Sequence, residues 1–107
     1  MPIIRIDFDN KKVSEKEMTA LSSAAQEIVS RITGIEDVFV YANSAQIKFK
    51  IAPIEIFVEM SAQKIADADK LIADIKTELS KWKKESGFAQ PINLTLIPMQ
   101  WKIETGI

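Results

Sequence analysis

The sequence predicts an α/β (α+β) fold of order β-α-β-β-α-β, with two βαβ units in one mixed sheet and both helices on one face. Two observations predict it. Short β-branched and apolar runs give way to apolar residues at spacings of three and four, and then return, twice within 107 residues. The two halves, about 1–52 and 53–107, also open alike, with Pro2-Ile3-Ile4-Arg5-Ile6 in one and Pro53-Ile54-Glu55-Ile56 in the other. Such a length suits one domain with its own core.

Each element has a local cause. Pro2 to Phe8 is Ile-rich and runs into the polar stretch Asp9-Asn10-Lys11-Lys12, a strand followed by a loop. Ser14 with Glu17 three residues on is a capping box, and Met18, Leu21, Ala25, Ile28 and Ile32 make one apolar helix face that Gly34 ends. Asp37 to Ala42 and Gln46 to Ile51 read as two strands around an Asn43-Ser44 turn, the second alternating Ile47, Phe49, Ile51 with Gln46, Lys48, Lys50. Pro53 breaks that ladder, and Ile54 to Met60 is a further strand. From Ser61 the spacing of Ile65, Ala68, Ile72, Ile75, Leu79 and Trp82 predicts a second helix, stopped by Gly87 after Lys81, Lys83 and Lys84. Ile92, Leu94 and Leu96 form the last strand, which Pro98 closes.

Composition removes whole classes of chemistry. There is no cysteine and no histidine, so a catalytic thiolate, an imidazole base, a Cys/His zinc site and a disulfide are all excluded. Fourteen Lys and Arg against 15 Asp and Glu leave a charge of −1, without the basic footprint of a nucleic-acid binder. No run reaches the roughly 20 apolar residues that a bilayer requires, and the start lacks a secretory pattern, so the expected compartment is the cytoplasm. Asp67, Asp69 and Asp74 fit no metal spacing. Neither a metal nor a cofactor is expected.

The remaining chemistry centres on Pro2. With Met1 removed, it presents a secondary amine of pKa about 7.7–8 that apolar surroundings lower, a usable base near neutral pH. Moving a proton between carbon and oxygen of a keto acid also requires cations for the carboxylate, and a donor for the enolate. Arg5, Lys48 and Lys50 are the candidate cations, although Arg5 alternates to the strand face opposite Pro2 and reaches it only across a subunit boundary. Backbone N–H groups of Ser61 and Ala62, at the expected start of the second helix, are candidate oxyanion donors.

This element order, the length, the duplication and the start Met1-Pro2-Ile3-Ile4-Arg5-Ile6 resemble the tautomerase superfamily, which includes the 4-oxalocrotonate tautomerases and the relatives of macrophage migration inhibitory factor. A small uncharacterised bacterial branch looks closest, through Pro2, Arg5, Glu55 and Ile97-Pro98-Met99-Gln100. The resemblance implies a tautomerase-like fold, a homotrimer, and cofactor-independent keto-enol tautomerisation of a small carboxylate substrate by Pro2. There are departures from the family pattern. Ile35 follows Thr33-Gly34 where a lysine is common, Asn93 stands near a usual tyrosine, Glu59 holds an expected apolar position, and no arginine lies near Ser61.

Blander readings stand beside these. Arg5, Lys48 and Lys50 fit solvated strand positions, Glu55 fits a structural pairing with Arg5, Trp82 fits the core, and Trp101 fits a subunit boundary. Helices hide one sheet face only, so the other is expected to be covered by further subunits. The alternatives are a non-catalytic trimer binding a metabolite or protein partner, and a ferredoxin-like domain with an antiparallel sheet that binds a small molecule. No nucleic acid or membrane partner is expected.

Overall fold

Strand β1 (Ile3–Phe8) leads to helix α1 (Glu15–Thr33) and strand β2 (Phe39–Asn43); strand β3 (Ile54–Ser61), helix α2 (Ala68–Ser86) and strand β4 (Asn93–Met99) follow. The computed structural model describes residues 1–107. The sheet order is β2-β1-β3-β4. β1 runs parallel to β2 and β3 parallel to β4, and the two pairs join antiparallel between β1 and β3. This is the mixed sheet of two βαβ units, and the parallel pairs rule out the antiparallel ferredoxin-like sheet.

Alternation along the central strands sorts the two faces. Ile4 and Ile6 of β1, with Ile54, Ile56, Val58 and Met60 of β3, are buried, while Arg5, Asp7, Glu55, Phe57 and Glu59 point the other way. All of these but Met60 belong to one cluster with Leu21, Ala25, Ile28 and Val29 of α1 and Ile75 and Leu79 of α2, so both helices cover one face. Trp82 packs at the core's edge with its ring centroid 5.3 Å from that of Phe88.

α1 begins and ends where the sequence places it. Ser14 and Glu17 exchange both capping-box bonds, and Gly34 takes the left-handed conformation at φ 72° with its N–H donating to the Ser30 carbonyl.

Three expectations need correction. α2 starts at Ala68, not Ser61; Ser61 ends β3, and one 3-10 turn, Ala62–Lys64, intervenes. The Asp67 carboxylate caps the helix by accepting from the Lys70 N–H at 3.1 Å, a stronger start signal than the spacing of Ile65. Gln46 to Ile51 forms no strand. Its Lys48 ammonium is tied to Asn10 and lies 3.7 Å from Asp9, while Ile47 and Phe49 find nothing in the chain to pack on and are 91% and 103% exposed. Pro98 does not close the last strand but sits inside β4, opposite Met60. An edge strand tolerates a missing donor that points outward.

Ile6 is wholly buried at the junction of the central strands with the core. Ile6→Ala is expected to lower stability by about 2–5 kcal/mol, read as a fall in the urea midpoint at unchanged slope.

Candidate functional site

The central antiparallel pairing sets what each end of the sheet contains. Pro2 precedes β1, its side chain is less than 2% exposed, and its carbonyl accepts from the Phe39 N–H at 3.2 Å. Ile3 pairs with Glu59, so Ser61 and Ala62, two and three residues further along the chain, lie at the same end as Pro2. The end of α1 and the start of α2 meet there too, around a cavity of about 220 Å³ lined in part by Ile32, Thr33, Met60 and Lys64.

The candidate cations lie elsewhere. Arg5 is on the uncovered face, where its Nε donates to Glu59 at 3.0 Å and its guanidinium sits 5.4 Å from the Phe57 ring centroid. Glu59, the unexpected charge of β3, is therefore the partner of Arg5. The expected Arg5 pairing with Glu55 is not formed: Glu55 faces Asp7 across the strands and accepts from Asn93 Nδ2 at 2.9 Å. Lys48 and Lys50 sit in the segment between β2 and β3, at the far end of the sheet from Pro2. Six strand residues at about 3.3 Å each put the two ends roughly 20 Å apart.

Lys48 is not a solvated strand position either. Its side chain is 17% exposed, and with the Asp9 carboxylate, which accepts from the Lys11 N–H, it closes the loop over the 9–13 turn.

Sequence reading missed Lys64 as a neighbour of the Pro2 end. The nearby Lys70 is engaged by Asp74, whose hydrogen bond and charge raise the ammonium above its ordinary pKa. Arg31, in the last turn of α1, is held by Glu27 and Glu78. Lys64 forms no ion pair. Its only sequence signal is its place three residues past the β3 end.

No protein-family model and no curated protein matches the chain in sequence. Four mixed strands and two helices in this order are nevertheless a fold shared with solved structures over nearly the whole chain. The chain superposes on FG41 malonate semialdehyde decarboxylase inhibited by 3-bromopropiolate with a TM-score of 0.72 at 15% identity, covering 98% of this chain and 91% of that one. A migration-inhibitory-factor protein of Leishmania major gives 0.65 at 16% identity, with 99% and 95% covered. A domain of unknown function from Sebaldella termitidis gives 0.65 at 14% identity, with 100% and 98% covered. No helix of the chain is long and apolar enough to cross a membrane.

Lys48→Met removes the cation beside the buried Asp9 carboxylate. The expected cost is about 1–3 kcal/mol, with faster amide exchange across 44–52 and unchanged exchange at Ser61 and Ala62.

Proposed function

We propose that the chain is a cofactor-independent keto-enol tautomerase for a small carboxylate substrate, with the Pro2 amine as base once Met1 is removed. The observation that carries this reading is the position of Pro2, buried at the head of β1 beside the junction of both helices. An amine there is shielded from water, which favours its neutral, basic form. Solved proteins of the same fold add support. Malonate semialdehyde decarboxylase has been solved as wild type, with its first-residue proline changed to alanine, and inactivated. Pt0534 has been solved inactivated by 2-oxo-3-pentynoate, a small molecule that joins a ketone to a carboxylate.

In this reading Pro2 takes a proton from the carbon next to the keto group or returns it, and backbone N–H groups at Ser61 and Ala62 face the enolate oxygen. Lys48 and Lys50 lie too far from Pro2 within one chain and Arg5 stands on the opposite strand face, so they hold the substrate carboxylate only from an adjacent subunit of a homotrimer. Self-association is supported by the uncovered sheet face, where Phe39 and Tyr41 are 44% and 55% exposed, and by Ile47 and Phe49. These four large side chains stand bare on one chain, and burying them is worth about 1.5–3 kcal/mol apiece.

One observation favours a second reading, a non-catalytic oligomer that binds a metabolite or partner. Arg5 and Lys48 are already engaged by Glu59 and Asp9.

Tag-free protein whose intact mass lacks Met1 is expected to speed ketonisation of an aryl enolpyruvate, and Pro2→Ala to lower kcat/KM at least about 100-fold. Activity that survives the substitution removes Pro2 from the mechanism; no turnover by an intact oligomer selects the second reading. Ile47→Ser with Phe49→Ser is expected to shift the chain from trimer to monomer in sedimentation, because it deletes apolar surface without touching the core.

A further inference from the structure

The cavity of about 220 Å³ where the end of α1 meets the start of α2 reaches the strand position beside Pro2. Pro2 continues the buried alternation of Ile4 and Ile6, and one step beyond the Ile3–Glu59 pair it comes opposite Met60, which lines that cavity. Four side chains in the lining carry charge: Lys64, Asp67, Lys70 and Asp74. Three of them are engaged inside the chain. Asp67 caps α2 by accepting from the Lys70 N–H, and the Lys70 ammonium donates to Asp74 at 2.8 Å. Lys64 is in no ion pair. Its place is set by the 3-10 turn Ala62–Lys64, which the Ile65 N–H closes by donating to the Ala62 carbonyl at 3.2 Å. Between Met60 and Lys64 the chain advances roughly 10 Å, one extended step and that turn.

We propose, building on the reading of Pro2 as the base, that Lys64 holds the substrate carboxylate from within the same chain. In a 2-keto acid the carbon that exchanges its proton is separated from the carboxylate by the keto carbon alone. A substrate with its reacting carbon at Pro2 therefore presents the enolate oxygen and the carboxylate side by side. The turn offers matching groups in the same order, the Ser61 and Ala62 N–H groups and then the Lys64 ammonium, whose flexible four-carbon arm covers the remaining distance. The charge of the substrate makes that contact a strong one. Lys64 thus supplies within one chain the cation that Arg5, Lys48 and Lys50 supply only from a neighbour. It is exposed, so replacing it disturbs no packing.

The test compares an aryl enolpyruvate with its methyl ester, which lacks the charge, on the Met1-free chain. Lys64→Met is expected to raise KM for the acid at least about tenfold, the scale of one charge-assisted hydrogen bond, while kcat changes less and KM for the ester stays the same. Lys64→Arg is expected to restore most of the loss. Binding is read separately by titrating the ¹⁵N-labelled chain with phenylpyruvate: saturable shifts are expected at the amides of Thr33, Ala62 and Lys64, with at least about tenfold weaker binding by Lys64→Met. An unchanged KM and undiminished binding in Lys64→Met, or an equal loss for acid and ester, would overturn the proposal and leave the role of Pro2 standing. Binding that depends on Lys64 in a chain without turnover supports the carboxylate site and removes Pro2 as the base. Neither saturable binding nor turnover overturns both.

Discussion

The antiparallel seam between β1 and β3 holds the two βαβ units together, and most other features follow from its register. Ile4 faces Val58, Ile6 faces Ile56 and Phe8 faces Ile54, so these apolar residues of both strands fall on one side and meet both helices there. A slip of one residue in either strand would send Ile4 and Ile6, or Ile56 and Val58, to the uncovered face. Burial of those side chains fixes the register, and the register in turn places every charge on the opposite face. Arg5 then has Phe57 directly across from it and Glu59 one diagonal step away, while Asp7 is left opposite Glu55.

The same seam separates two kinds of surroundings. At one end lie Pro2, the turn after β3 and the facing ends of both helices, beside a small cavity whose lining mixes apolar side chains with Lys64, Asp67, Lys70 and Asp74. At the other, acidic side chains, phenylalanines and a long loop surround a wider opening. A single residue type would behave differently in each, which is why position along the strands matters more here than composition.

Local signals are legible in the sequence where the deciding bonds are themselves local. Ser14, Glu17 and Gly34 define α1 through contacts within a turn of the chain, and Gly87 ends α2 likewise, with its N–H donating to the Lys83 carbonyl. The start of α2 is hidden because Ile65 continues the apolar spacing, whereas its backbone is extended at φ −107° and the cap belongs to Asp67. Alternation in Gln46 to Ile51 describes a strand correctly in pattern, but a strand needs a partner and this chain provides none. Pro2 can be singled out from its place in the sequence. That Arg5 meets Glu59 rather than Glu55, and that Lys48 closes a loop, depends on non-local register and on a turn that periodicity does not encode.

Pro98 has a bearing on how the sheet can grow. Inside β4 it leaves one position without a hydrogen to offer, and its ring crowds any backbone laid alongside. β2, at the opposite border, carries Phe39 to Asn43 with no proline among them. The two borders are therefore unequal templates. A segment of another chain laid along β2 meets an unbroken row of donors and acceptors, whereas one laid along β4 is interrupted before it reaches Met99. Growth of the sheet is thus directed to one side, and a stack of chains joined border to border in an open-ended row is hindered at each junction that includes β4.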